Sequence, residues 1–214
     1  MKKLQKLGPK NSFKLINLIK SGVGNIGSIS RVILDLEIEY TLVENIEQIN
    51  EKGKIILPGI GSFDSFIKSL KQNHLFDKIY ELVILKKIPI LGICVGMQSF
   101  FKESEEGFEK GFGFFNNKCT KFLSSNKKIP HLGWNKVYNN KNNKLFENIE
   151  DNFFYFAHSY HVNLSENKQI IGYTNYDKNF PSAVNLENIY GVQFHPEKSY
   201  DQGLQIIKNF ITKC

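Results

Sequence analysis

The sequence predicts an α/β fold, a doubly wound and mostly parallel sheet with antiparallel additions in its second half. In the first half, continuous apolar runs of strand length alternate with apolar stripes at helical spacing, and each run stops in a glycine-bearing loop. Past Phe101 the texture changes to short alternating runs between Lys-, Asn- and Gly-rich stretches, the pattern of half-exposed antiparallel strands.

Taken in order, residues 1–12 carry Lys2, Lys3, Lys6 and Lys10 around the turn signal Gly8-Pro9, and read as a basic extension. The remainder, 13–214, is of a length that supports one core, so a single domain is expected. Phe13 to Ile19 reads as a buried strand running into Ser21-Gly22-Val23-Gly24-Asn25-Ile26-Gly27. Ser28 then caps a helix whose stripe is Ile29, Val32, Ile33 and Leu36. The literal Gly-x-Gly-x-x-Gly is a weak dinucleotide signal, because the strand expected near Ile38 to Val43 ends at Glu44 with only a general acidic residue to offer a ribose.

Lys54 to Leu57 is the next strand, broken at Pro58-Gly59-Ile60-Gly61, where glycines free backbone N–H groups to face outward. Ser62 caps a helix that buries Phe66, Ile67 and Leu70, and a second amphipathic run, Leu75 to Lys87, follows. The chain then reaches Ile88-Pro89-Ile90-Leu91-Gly92-Ile93-Cys94-Val95-Gly96-Met97-Gln98, which reads as strand, sharp turn and helix start. Glycines on both sides of a central nucleophile are what such an elbow requires, since side chains there collide with the sheet and the returning helix. A helix N-terminus also favours the reactive thiolate, although a buried structural cysteine satisfies the same stretch.

In the second half, strands are expected at Asn152 to His158, Gln169 to Tyr173, Ser182 to Leu186 and Ile189 to His195, with a tight hairpin at Leu186-Glu187-Asn188-Ile189. Asp201 to Thr212 reads as a terminal helix with Leu204, Ile207, Phe210 and Ile211 on one side. His195 and Glu197 sit two apart, so extended geometry through Pro196 places them on one face, the carboxylate orienting the imidazole. Cysteine, histidine and carboxylate then make the thiol version of a catalytic triad.

Composition removes several classes. The net charge of +7 comes almost wholly from lysine, Arg31 being the only arginine, and no zinc-finger spacing, RNP-like aromatic motif or basic heptad accompanies it. A solvated lysine-rich surface is expected, and no nucleic-acid partner. Cys94, Cys119 and Cys214 show no C-x-x-C spacing, so neither a disulfide framework nor a metal site is expected. No apolar run approaches the roughly 18 residues of a membrane span, and no secretion signal stands at the start, so the expected address is cytoplasmic.

Gly92-Ile93-Cys94-Val95-Gly96-Met97-Gln98 together with His195-Pro196-Glu197 resembles the class I, or triad-type, glutamine amidotransferases. Pro58-Gly59-Ile60-Gly61, Ile129-Pro130-His131-Leu132-Gly133-Trp134-Asn135, Tyr155-Phe156-Ala157-His158-Ser159-Tyr160 and Gly191 to Ser199 look like the glutaminase subunit of imidazole glycerol phosphate synthases. The resemblance implies that Cys94 attacks the side-chain amide of L-glutamine, that His195 handles the protons, and that Glu197 orients it. It implies an oxyanion hole from the N–H of Val95 and one from Ile60 or Gly61, and glutamine contacts from Gly59, Gln98, Tyr155, Ser159 and Tyr160. It further implies a heterodimeric partner and ammonia acceptor, a (β/α)8 cyclase subunit, with Asn25 and Trp134 at the docking face, and no cofactor. Two departures, Lys20-Ser21 where the family usually has Asp-Tyr and the basic extension, leave open a paralogous glutaminase serving amidination of a surface-polysaccharide sugar. A catalytically silent binding protein of the same fold is the alternative of a different class.

Overall fold

The computed structural model describes residues 15–20, 26–123, 127–139, 142–164 and 167–214. The basic extension, its expected boundary at Phe13, and Asn25 with most of the first glycine loop lie outside the described residues. The first half runs β1 (Leu15–Ile19), α1 (Ile26–Asp35), β2 (Glu39–Val43), β3 (Lys54–Gly59), α2 (Phe63–Gln72), α3 (Leu75–Ile84), β4 (Ile90–Cys94) and the single turn α4 (Val95–Gln98). The second half adds β5 (Phe101–Ser104), β6 (Phe115–Lys121), β7 (His131–Lys136), β8 (Tyr138–Asn139), β9 (Phe153–His158), β10 (Tyr160–Val162), β11 (Ile170–Tyr176), β12 (Lys178–Leu186), β13 (Ile189–Val192) and α5 (Tyr200–Lys213).

The main sheet has eight strands in the order β2-β1-β3-β4-β13-β12-β11-β8. Its first five are parallel and the β13–β12–β11–β8 steps are antiparallel, as the change of texture at Phe101 foreshadows. Strands β3, β4 and β13 are buried along their whole length, which is why they read as continuous apolar runs rather than alternating ones. In the parallel part, α1 lies against α5, and α2 against α3 and α4. The stripes Ile29-Val32-Ile33 and Phe66-Ile67-Leu70 are buried as the spacing predicts.

Buried polar groups at the far edge of the sheet are matched by partners. Asn17 in β1 is fully buried; its amide donates to the carbonyls of Asn50 and Gly53, and its oxygen accepts from the Asn50 N–H. Lys54, at the start of β3, turns its ammonium onto the carbonyls of Phe210 and Ile211 and so caps the last turn of α5.

Several local expectations change. Ser28 lies inside α1 rather than at its cap, because the helix already starts at Ile26. Strand β3 runs on through Pro58 and Gly59, which pair with Ile93 and Cys94. Stretch 102–151, featureless by periodicity, holds most of β5 and all of β6 to β8: β5 and β6 join β10 in a small separate sheet, and β7 pairs with β9 among the described residues.

Candidate active site

Three neighbouring parallel strands end at one edge of the sheet, and each delivers a part of the site there. Strand β3 ends in the loop at Ile60 and Gly61, β4 ends at Cys94, and β13 runs into His195. Crevices outside the carboxyl ends of parallel strands are where α/β sheets hold ligands, since loops there are free of the ladder.

Cys94 has φ 55° and ψ −112°, a strained conformation for a side-chain-bearing residue, and is 4% exposed. The turn is held by close approach on both sides. A Cβ on Gly92 would sit 2.6 Å from the Phe100 ring, and one on Gly96 would sit 1.9 Å from the Leu57 carbonyl oxygen. Gly59 is as confined, its missing Cβ 2.4 Å from the Gly96 nitrogen. The helix expected after the elbow is a single turn, so helix dipole contributes little, and the electrostatics at the sulfur come from neighbouring side chains.

His195 is 3% exposed and lines the same cavity as Cys94, close enough for the sulfur to act on the charge of its ring, while its Nδ1 lies 2.9 Å from Glu197 Oε1. The extended geometry expected through Pro196 is not what joins them. Pro196–Lys198 forms a 3₁₀ turn that begins at His195, and the turn folds the carboxylate back against the ring. Proline at the first position of the turn presets the backbone angle this requires. The segment is pinned to β9: the His195 N–H donates to the Tyr155 carbonyl (2.8 Å), the Ser199 hydroxyl donates to the His195 carbonyl (2.6 Å), and the Tyr155 N–H donates to Ser199 Oγ (3.0 Å). Burial works against a charged imidazole here, but the Cys94 sulfur and then the Glu197 carboxylate outweigh it and raise His195 to about 10. Glu197 Oε2 is buried without a hydrogen-bond partner among the described residues.

A cavity of about 410 Å³ opens over Cys94. Ile60, Gly61, Val95 and Gln98 form one wall, and Ser159, Tyr160 and His195 form another. Gly61 has φ +86° with open space where a Cβ would point, so backbone conformation rather than room selects glycine there. Two residues named from the sequence lie elsewhere. Gly59 is a strand residue beneath the cavity, opposite Cys94 in the β3–β4 ladder. Tyr155 packs edge-on against Trp134, under the Lys198 ammonium, and is not part of the cavity wall.

Sequence reasoning passed over Glu106, which lines the cavity. Burial raises its carboxyl above the usual range, opposed by the Phe63 N–H that donates to Oε2 (2.8 Å). It stands in the stretch without periodicity, held in place because Asp64 accepts the N–H groups of Phe108 and Glu109, and nothing in the linear sequence signals that tie. Trp134 is 43% exposed on the outward face of β7, which it shares with Leu132, and stacks on Tyr200 at 4.9 Å between ring centroids. No group of three or more His, Cys, Asp or Glu side chains suited to a metal ion occurs among the described residues, and none of the described helices is long and apolar enough to cross a membrane.

Comparison with known proteins gives one family from sequence and a matching fold from shape. The class-I glutamine amidotransferase family model matches residues 17–214. Imidazole glycerol phosphate synthase subunit HisH 2 of Methanococcus maripaludis is 47% identical over 202 residues, covering 94% of this chain and 100% of the relative. The HisH subunit of Methanocaldococcus jannaschii is 44% identical over 200 residues, covering 92% of this chain and 98% of the relative. Among solved structures, a putative GMP synthase subunit from Thermoplasma acidophilum superposes with a TM-score of 0.70 at 20% identity, covering 95% of this chain and 94% of that one, a likeness of fold. PurLQS from Thermotoga maritima has a TM-score of 0.68 at 17% identity, covering 92% of this chain and 96% of that one. Because the similarity runs through both the elbow and the His-Pro-Glu turn and along nearly the whole chain, the chain belongs to the class-I glutamine amidotransferases and, within them, groups with the HisH subunits of imidazole glycerol phosphate synthase.

Proposed function

We propose that Cys94, His195 and Glu197 hydrolyse L-glutamine to glutamate and ammonia. The observation that carries this reading is one buried imidazole hydrogen-bonded to Glu197 and within electrostatic reach of the Cys94 sulfur, with both Cys94 and His195 lining one open cavity. The Cys94 sulfur attacks the side-chain carbonyl carbon of glutamine, and the oxygen gains negative charge. The Val95 N–H and one from Ile60 or Gly61 receive that charge, a preorganised donor pair of the kind whose single loss costs roughly 3 kcal/mol of barrier. His195 gives its proton to the departing nitrogen, ammonia leaves, and a glutamyl thioester remains. His195 then takes a proton from water, the resulting hydroxide attacks the thioester, and glutamate leaves as sulfur recovers its electron pair.

Glu106 is the side chain we assign to the α-ammonium of glutamine, since a cation in the cavity would restore the ionised carboxylate that burial disfavours. Gln98, Ser159 and Tyr160 complete the wall around the substrate. Hydrolysis in water would waste the ammonia, and the relatives' names describe subunits of a synthase. The reading therefore includes a (β/α)8 cyclase subunit that docks as a heterodimer over the cavity and converts the ammonia into imidazole glycerol phosphate and aminoimidazole carboxamide ribonucleotide. The exposed Leu132 and Trp134 beside the cavity support a docking face there. The 13–214 stretch acts as one glutaminase domain with 1–12 as an extension.

The test is ammonia release from glutamine by the purified protein, alone and with its cyclase. Release should be slow alone, faster with the partner, and abolished in Cys94→Ala; persistent release in that variant removes Cys94 as the nucleophile.

A further inference from the structure

The Cys94 sulfur has a second polar neighbour besides His195. The side-chain Nε2 of Gln193 lies 3.6 Å from Sγ, within reach of a hydrogen bond to sulfur. Gln193 is fully buried, so it meets the sulfur from the protein side and leaves the cavity side open to substrate.

Which end of this carboxamide faces the sulfur is determined by its neighbours. Gln98 Nε2 donates to Gln193 Oε1 (3.0 Å), which turns the Gln193 amide nitrogen toward Cys94. Gln98 is itself oriented because the same nitrogen donates to the Tyr160 carbonyl (2.9 Å). That carbonyl also accepts from His158 Nδ1 (2.8 Å), and a carbonyl can only accept, so His158 carries its proton on Nδ1 and offers Nε2 as acceptor. His131 Nδ1 donates into it (3.0 Å), and Asn135 Nδ2 donates into His131 Nε2 (3.2 Å). The Tyr160 carbonyl thus sets both branches, Gln98 and Gln193 toward the sulfur and His158, His131 and Asn135 away from it.

We propose that Gln193 is a further catalytic residue, an N–H donor to the Cys94 sulfur held in its donating orientation by Gln98. The inference deepens the hydrolysis proposed above and rests on it. In the first step the sulfur spends an electron pair on the carbon. In the second, the carbon–sulfur bond breaks and the pair returns to sulfur, where the Gln193 N–H and His195 receive it. A donor on the protein side thus stabilises the thiolate both before attack and as a leaving group.

Two substitutions separate this role from packing. Gln193→Met keeps the volume and loses the donor. Gln193→Glu keeps the oxygen that Gln98 binds and replaces the donor with an acceptor. Iodoacetamide alkylation of Cys94 reads the sulfur without glutamine, so it remains informative even if the glutaminase reading fails, which would show as no ammonia from the parent protein. In both variants the pH midpoint of Cys94 alkylation should move up by about one unit, so that the rate below that midpoint falls roughly ten-fold, the scale of one hydrogen bond to a charged group, and kcat should fall with KM little changed. Parent-like alkylation in Gln193→Glu would overturn the proposal, because a residue needed only to seat Gln98 tolerates that change. Should a variant fail to fold, the side-chain amide resonance of Gln193 in the parent protein decides: it should shift when Cys94 is alkylated, and an unmoved resonance overturns the inference.

Discussion

His195 Nδ1 and Glu197 Oε1 stand 2.9 Å apart across a proline-led turn of 3₁₀ geometry, rather than along one face of a strand. The pair is 4% and 5% exposed at the side chains, so water does not compete for the imidazole, and the ring is held with Nδ1 toward Glu197 and its other nitrogen free for the sulfur and substrate. Glu197→Gln should therefore keep the fold and cut kcat by roughly 10²- to 10⁴-fold, the range over which proton transfer and correct tautomer act in such sites. Steady-state ammonia release checks it, and a fall under ten-fold would remove Glu197 as the orienting group.

His195 also ties stability to alkaline pH. Its folded-state value, raised to about 10, exceeds the ordinary 6.5, so the folded protein holds this proton more tightly than the unfolded chain does. That contribution is complete below pH 6.5 and is lost as pH climbs toward 10. Urea midpoints measured across this window should fall with pH, and should fall less steeply in Cys94→Ala, where the partner that raises the imidazole is gone.

His131 and His158 act at the other end of the scale. Burial lowers them, to about 4 and about 3, because a charged ring at these sites has no water to solvate it. Below pH 6.5 the unfolded chain takes up protons that these rings refuse, so the stability they help maintain at neutral pH is lost as pH falls toward 4 and then 3. Thermal melts in acid should show it, and His158→Asn should flatten the acid limb; an unchanged limb would place the acid sensitivity elsewhere.

Gly96→Ala tests the elbow. The new methyl would have to occupy a point 1.9 Å from the Leu57 carbonyl oxygen, a backbone atom that cannot swing aside. Strand β3 must separate from the elbow, at a cost of about 3 kcal/mol by the usual scale for overpacking, and glutaminase activity should fall with it. A melting temperature equal to that of the parent would show that the ladder has slack which these contacts do not suggest.

Trp134→Ala should weaken binding to the cyclase subunit by roughly 30-fold, the scale for loss of an aromatic interface anchor. Titration calorimetry or co-purification measures it. An unchanged affinity would mean that the stacked Trp134–Tyr200 pair lies outside the docking face.

What was readable in the sequence, and what was not, divides by the range of the interaction that produces it. Strands β3 and β4 announced themselves because burial on both faces leaves an unbroken apolar run, as did α2 because its stripe faces the sheet. The elbow was legible because Gly92 and Gly96 are required by contacts within one short segment and the strand beside it. Strands β5 to β8 were not, since each buries two positions at most and so leaves no unbroken apolar run.

The sequence by itself determined the alternating first half, the site-bearing strand ends, and the cysteine, histidine and carboxylate that meet there. Only the tertiary structure decided how they meet: a turn through Pro196 rather than an extended strand, Glu106 brought to the cavity by Asp64, and Gln193 set behind the sulfur by Gln98. The physical reason is that residue type and period record what a segment buries locally. The orientation of a side-chain hydrogen bond depends on partners dozens of residues away, whose positions exist only once the sheet has closed.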